Sequence, residues 1–113
     1  MQHEKVVDAA IDLGIALEAL YLSDLSDDRG ELTFRLRIRA ARFIGTHAAE
    51  RKRIFELVGK LYGLRSTAVH IGRLKGQPSS IRQLLNEGFL LGVQSIRKSI
   101  AAGEPDWDAV QFR

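Results

Sequence analysis

The sequence contains no cysteine and only two prolines among its 113 residues. Without cysteine the chain forms no disulfide, no thiolate nucleophile and no cysteine-based zinc site, and this absence fits a reducing cytoplasm, where we expect the protein. No apolar run approaches the roughly 20 residues of a membrane-spanning helix, so we predict no membrane segment. The sequence also lacks a phosphate-cradling glycine motif and any histidine or carboxylate spacing typical of a metal site, which predicts neither a cofactor nor a metal.

The composition that is present is that of an ordinary globular protein, with 45% hydrophobic residues, and predicts a single domain over 1–113. Its charges are unevenly distributed. Residues 1–31 carry a net charge of −6, residues 32–82 a net charge of +10, and residues 83–113 a net charge of −1. A basic block of this kind is typical of a surface that binds nucleic-acid phosphates. Basic helices that dock against an acidic first helix would give the same distribution, and the sequence leaves both interpretations open.

Hydrophobic periodicity predicts four helices, over 5–21, 32–44, 48–70 and 80–101. The second segment is ambiguous because its first half alternates apolar and arginine residues, as a strand does. The following residues break that alternation and no second strand is available for pairing, so we predict a helix. This helix would place Arg35, Arg39 and Arg42 on one solvent-facing stripe and leave Arg37 among apolar neighbours.

The last helix carries Ile81, Leu84, Leu85, Phe89, Gly92, Val93, Ile96 and Ile100 and is stopped by Gly103 and Pro105. We expect the remaining tail to fold back with Trp107 and Phe112 as its anchors. The predicted fold is therefore all-α: a four-helix up-and-down bundle with a short C-terminal tail packing back.

Arg65 is the residue that fits such a bundle least well. It lies one turn after Leu61, near the middle of the apolar face of the third helix. A guanidinium does not lose its charge, so it requires a carboxylate, a water-filled cleft or an anionic ligand. His70 is turned by roughly 140° from Arg65, which excludes the i,i+4 pair of a helical metal site. The two side chains can instead line two walls of a cleft or meet their counterparts across a dimer interface.

Glu18 and Ser66 are the other polar residues that the helical pattern brings into question. Glu18 lies on the apolar side of the first helix and also requires a partner. It either belongs to an ion-pair network that fixes the helix register, or it orients Arg65 and shapes a catalytic pocket. Ser66 either bonds to its own helix backbone or binds a substrate phosphate. Beside an arginine, His70 is a candidate general acid or base.

The segment Arg65-Ser66…His70 is an R-x4-H motif at the end of a third helix, and it resembles the motif of HEPN domains, the higher eukaryote and prokaryote nucleotide-binding superfamily. The segments 15–20, 39–41, 61–66 and 105–108 resemble more narrowly the Apea-like HEPN group, so the likeness covers nearly the whole chain. One departure is Ile71, which stands between His70 and Gly72 where the family pattern has a glycine directly after the histidine.

This resemblance implies a metal-independent endoribonuclease, often a toxin or a part of phage defence, that acts on RNA as a homodimer with two motifs facing one cleft. Arg65 would hold and neutralise the scissile phosphate, His70 would be the general acid or base, and Ser66 would be the supporting polar residue. Arg73 and Lys75 would add positive charge that attracts RNA. An antitoxin or a sensor protein would be a further partner. The alternative is a non-catalytic HEPN module that binds a nucleotide or a protein.

Overall fold

The computed structural model describes the backbone of residues 3–25, 32–71, 78–103 and 105–112, and the side chains of these residues except 3, 4, 65–71 and 78. These ranges form four long helices and one short one: α1 His3–Leu22, α2 Leu32–Ile44, α3 Ala48–Ile71, α4 Pro78–Ala102 and α5 Trp107–Phe112. They contain no strand, so the predicted all-α fold is confirmed. The predicted limits of the four long helices agree with the observed ones to within two residues.

A tight turn joins α2 to α3. A Cβ atom at Gly45 would lie 2.5 Å from the carbonyl oxygen of Ala41, so only glycine fits between the two helices. The start of α3 is capped reciprocally: Nδ1 of His47 accepts a hydrogen bond from the backbone N–H of Glu50, whose Oε1 accepts one from the backbone N–H of Thr46. The Thr46 bond lowers the pKa of Glu50 below its usual value.

Helices α2, α3 and α4 alternate in direction. Near the α2–α3 turn Gly45 meets Arg51, and farther from it Arg37 meets Gly59. Between α3 and α4, Leu61 meets Gly88, in the first half of α4. A groove whose lining includes Ile54, Leu57, Leu91 and Gln94 continues this antiparallel pairing toward the start of α3.

Helix α1 packs on both α3 and α4. Leu13 lies at Gly88, and Tyr21 lies at Ser95, so α1 and α4 run parallel. Because α2 is also parallel to α4, α1 and α2 point in the same direction, and the predicted up-and-down order is wrong for the first helix. The contacts of Arg39, in the second half of α2, with Tyr21 and Asp24 at the end of α1 agree with this direction.

Together the helices enclose a core of buried apolar side chains contributed by all four, among them Leu13, Leu17, Leu36, Ala40, Ile54, Val58, Leu61, Leu85 and Leu91. No helix in the described ranges combines the length and the apolarity that crossing a bilayer requires.

The C-terminal tail packs back onto the bundle as the short helix α5. Gly103, with φ of 78°, ends α4 in the left-handed conformation that favours glycine. Trp107 is buried and contacts Tyr21 and Phe43, which confirms its predicted role as an anchor. Phe112 is 78% exposed, so the same prediction for it is wrong. The two residues are five positions apart on one helix, and one face cannot bury both.

The predicted solvent-facing arginine stripe of α2 is also wrong. Arg39 is only 2% exposed, and Nε of Arg42 donates to the carbonyl oxygen of Val110 at 2.7 Å. The side of α2 that carries these arginines faces α5, which the helical pattern of α2 alone does not reveal. Arg37 does lie among apolar neighbours as predicted: its guanidinium stands 4.0 Å above the ring of Phe55, and its Nε donates to the carbonyl oxygen of the same residue at 2.9 Å.

Candidate functional site

The R-x4-H motif lies on the last two turns of α3, which runs without a break from Ala48 to Ile71. On a continuous α-helix, residues five apart are separated by about 7.5 Å along the axis. The side chains of Arg65, Ser66 and His70 lie outside the described residues, as do Arg73 and Lys75 altogether. Their predicted roles therefore stay predictions, while the helix that positions three of them is in place.

The residues of α3 before the motif show which face of the helix is buried and which is exposed. Val58 is fully buried and Leu61 is 4% exposed; position 65 follows Leu61 by one turn, on the same row. Gly63 is exposed, and position 70 follows it by two turns. Positions 65 and 70 thus continue two different rows of α3, one that is buried and one that is exposed in the described part of the helix.

Glu18 lies half-buried on α1, with its Oε1 atom inside the bundle. Helix α1 meets α3 and α4 where Leu13 approaches Leu61 and Gly88, and from there it runs toward Ser95. Glu18 lies five residues beyond Leu13 along α1, and position 65 lies four residues beyond Leu61 along α3. Because the two helices are antiparallel, these steps lead in opposite directions, and the two positions are about 13 Å apart along the bundle by ideal helix rise. The pairing of Glu18 with Arg65 stays a prediction, but the distance between the two positions along the bundle does not favour it.

The charged side chain that the structure buries most completely is Arg39, on α2. Its Nη1 donates to Oδ1 of Asp24 at 2.6 Å and to the carbonyl oxygen of Tyr21 at 2.8 Å, and its Nη2 donates to Oδ2 of Asp24 at 3.3 Å. Its Nε donates to Oε1 of Gln111 at 2.6 Å. The indole ring of Trp107 lies 5.2 Å from the guanidinium carbon. These contacts join α2 to the end of α1 and to α5.

An aromatic cluster continues this network into the core. The ring of Tyr21 lies 6.1 Å from that of Phe43 and 5.3 Å from that of Trp107, between centroids. The hydroxyl of Ser95 donates to the carbonyl oxygen of Leu91, so the single proton of Ser95 is used and the Tyr21 hydroxyl is the donor to Ser95. Burial raises the pKa of Tyr21 to about 12, and the hydrogen bond to Ser95 opposes this only in part.

The Arg39 network was missed by sequence reasoning, and its chemistry is structural. The guanidinium is 2% exposed and donates to Asp24, Tyr21 and Gln111, so its charge is neutralised and held within the bundle. A signal was nevertheless present. Asp24 follows the first helix, and Trp107 stands in a tail predicted to fold back, so both had to meet some face of the bundle. Arginine is the residue type that pairs with a carboxylate and an indole ring together.

Exposed basic side chains lie on α3 and α4. Lys52, Arg53 and Lys60 are exposed on α3, and Arg82 is exposed near the start of α4. Because the start of α4 lies beside the second half of α3, Arg82 lies at the end of the bundle that carries the motif. Part of the basic block thus binds internally, Arg39 to Asp24 after the first helix and Arg37 to Phe55 of α3, and part faces solvent.

Within the described ranges, no group of three or more histidine, aspartate or glutamate side chains is placed to hold a metal ion. Neither a scan against family models nor searches of curated proteins and solved structures finds a significant match to this chain. The function is therefore argued from the motif, the helix that carries it and the charges around it.

Proposed function

We propose that this chain is a metal-independent endoribonuclease in which Arg65 binds the scissile phosphate and His70 transfers a proton. The observation that supports this most is the unbroken course of α3 through Ile71. It fixes the two motif positions on one rigid element, where a small displacement of a catalytic group would cost much of the rate.

The proposed reaction is transfer of the phosphodiester within RNA. The 2′-oxygen forms a bond to the adjacent phosphorus, the bond from phosphorus to the 5′-oxygen breaks, and a 2′,3′-cyclic phosphate and a 5′-hydroxyl result. Arg65 neutralises the charge that develops on the phosphoryl oxygens. His70 takes the proton of the 2′-hydroxyl or gives one to the leaving oxygen, and Ser66 supports the phosphate.

One histidine performs only one of these two proton transfers at a time. A second copy of the motif across a shared cleft would supply the other, which is the physical reason for the homodimer that the resemblance implies. The exposed basic side chains Lys60 and Arg82 would add to the attraction of the RNA backbone, with a strong dependence on salt.

The test is incubation of the protein with transfer RNA or total RNA in EDTA, comparing the wild type with Arg65→Ala and His70→Ala. Arg53→Ala and His47→Asn are matched controls, because both side chains are exposed and His47→Asn retains an acceptor for the helix cap. We expect cleavage by the wild type and both controls and none by the motif variants. Equal cleavage by all five proteins would reject the proposal, and RNA binding without cleavage would identify the non-catalytic module instead.

The shared cleft has its own test, which is to mix the wild type with an excess of the inactive His70→Ala variant. If each cleft needs the histidines of both subunits, mixed dimers are inactive, and the activity falls below that of the same amount of wild type alone. Activity that stays proportional to the amount of wild type, in a mixture shown to exchange subunits, would place the complete site within one chain.

A further inference from the structure

Helix α4 has two apolar faces, and the single chain buries only one of them. Ile81, Leu85 and Leu91 face the core together with Gly88 and Ser95. A second row, formed by Phe89, Val93, Ile96 and Ile100, is exposed by 48%, 45%, 45% and 79%, respectively. We call this row the α4 stripe. Its residues were among those that mark α4 as an apolar helix, so the sequence provides apolar surface that the monomer leaves in water.

The spacing of the α4 stripe is that of a helix seam. Its residues follow each other by four, three and four positions, which on an α-helix keeps them within a strip roughly 60° wide. The same spacing brings the apolar residues of a coiled coil to the line along which two helices meet. The exposed part of these side chains, with the neighbouring Leu90, amounts to on the order of 500 Å² of apolar surface, which is the size of the largest patch on a typical monomer, and such patches are often functional.

We propose that the α4 stripe is an interface with a second copy of this chain, formed by the two α4 helices in antiparallel orientation. A symmetric contact of the stripe with itself places Phe89 opposite Ile100 and Val93 opposite Ile96, so that every layer is apolar. The side chains on either side of the α4 stripe would add to the buried area and bring it toward the roughly 800 Å² per partner of a standard interface.

The charges of α4 decide the orientation. Arg82 lies on the line of the stripe, seven residues before Phe89, and Arg97 borders it near the other end. A parallel pair would place each of these arginines beside its own copy and align the two helix dipoles. An antiparallel pair opposes the dipoles and, in this register, brings Arg82 beyond the C-terminal end of the partner helix, whose last turn contains no basic residue and exposes carbonyl groups.

This interface does not rest on the proposed ribonuclease activity. Because Leu61 lies at Gly88, the half of α3 that carries the motif packs beside the first half of α4. In the antiparallel pair the two motifs therefore lie toward opposite ends of the dimer, and a cleft shared by two motifs would use another surface. Loss of RNA cleavage and loss of the α4 interface are thus separate outcomes.

The oligomeric state tests the surface. We expect the wild type to have at least twice its chain mass of 12.6 kDa by light scattering, and more if the motif cleft joins further copies through the other surface. The double variant Val93→Glu/Ile96→Glu should associate at least about 100-fold more weakly, since buried like charges oppose each other. Its helix content by circular dichroism should be unchanged, because both side chains are already exposed. The matched control Ile15→Glu/Phe112→Glu adds the same charges at exposed apolar positions outside α4 and should leave the association intact.

A wild type that stays monomeric at the highest reachable concentration would overturn the proposal. So would a double variant with the same mass as the wild type, or a control that dissociates to the same extent. The orientation is tested by cross-linking, for which the absence of native cysteine is convenient. Phe89→Cys mixed with Ile100→Cys should form a disulfide-linked pair on oxidation, whereas Ile100→Cys alone should not. Efficient self-linking of Ile100→Cys would overturn the antiparallel arrangement.

Discussion

The guanidinium of Arg39 lies 5.2 Å from the indole ring of Trp107, and this contact joins the second helix to a short helix 68 residues farther along the chain. The guanidinium also pairs with Asp24, which neutralises its charge. Helix α5 contributes Trp107 and Gln111 to this burial. A structural arginine and a candidate phosphate-binding arginine, Arg65, thus lie on neighbouring helices of the same bundle.

Replacing Arg39 by methionine should lower the free energy of unfolding by about 2 kcal/mol or somewhat more. The variant keeps most of the side-chain volume but loses the charged hydrogen bonds to Asp24, Tyr21 and Gln111. The loss lies below the 3–5 kcal/mol or so of a fully buried broken pair, because the Asp24 side chain is 37% exposed and regains water. Urea denaturation measures it. Arg53 is exposed, so Arg53→Met should leave the free energy of unfolding nearly unchanged. An equal loss in that variant would contradict the special role of Arg39.

Trp107→Ala and Phe112→Ala should differ sharply, although both remove an aromatic ring from α5. Trp107 is buried against Tyr21 and Phe43, and its removal should cost roughly 3–5 kcal/mol. Phe112 is largely exposed, and its removal should lower the free energy of unfolding by less than about 0.5 kcal/mol. Thermal and urea unfolding of both variants provide the comparison. Similar losses at the two positions would show that α5 is held by something other than Trp107.

The stability of the protein should fall as the pH rises above about 10. The Tyr21 hydroxyl has a pKa of about 12 in the folded chain against an ordinary value of 10.0. The stabilisation is therefore complete below the unfolded pKa and is lost as the pH rises through the folded one, at roughly 2–3 kcal/mol for a shift of two pKa units.

Urea unfolding measured between about pH 9 and pH 11.5, for the wild type and Tyr21→Phe, isolates this contribution. The variant is less stable at neutral pH, because the Ser95 hydroxyl loses its donor, but its curve should lack the decline due to Tyr21. Parallel curves for the two proteins would mean that other groups control the alkaline limit.

Two glycine-to-alanine changes should act in opposite directions. A Cβ at Gly88 would lie 2.6 Å from Cδ2 of Leu13 and 2.8 Å from Cδ1 of Leu61, both within the core. Overpacking of about 1–3 kcal/mol should outweigh the gain in helix propensity of about 1 kcal/mol. A Cβ at Gly63 would meet nothing within 4 Å, so Gly63→Ala should stabilise the protein by about 0.5–1 kcal/mol. Denaturation midpoints decide both signs, and a stabilising Gly88→Ala would show that the leucines move aside easily.

The helices were predictable because each depends on residues close together in the sequence. The start of α3 follows from its cap at His47 and Glu50, which is a local signal. The burial of Arg39 was not predictable in this way. It depends on a partner helix whose contact residues, Trp107 and Gln111, lie about 70 positions away, and no periodicity of α2 specifies which face they will cover.

The candidate site was likewise predictable from the sequence only in part. The sequence places Arg65 on the apolar face of α3 with His70 turned by roughly 140° from it, and the structure provides the continuous helix on which both predictions depend. The predicted partner of Arg65, Glu18, depended on how α1 lies against α3. Its level in the bundle follows from the contacts of Leu13 and Tyr21 with α4, which connect residues more than 70 positions apart.

The hydrogen bond between Tyr21 and Ser95 also bears on the order in which the chain folds. It closes a loop of 74 residues, and such a closure costs entropy before the contact returns any energy. The hairpins of α2 with α3 and of α3 with α4 close much shorter loops and should form first. Ser95→Ala should then accelerate unfolding while leaving the refolding rate nearly unchanged in stopped-flow measurements. The junction of α1, α4 and α5 would be the last part of the molecule to assemble and the first to come apart.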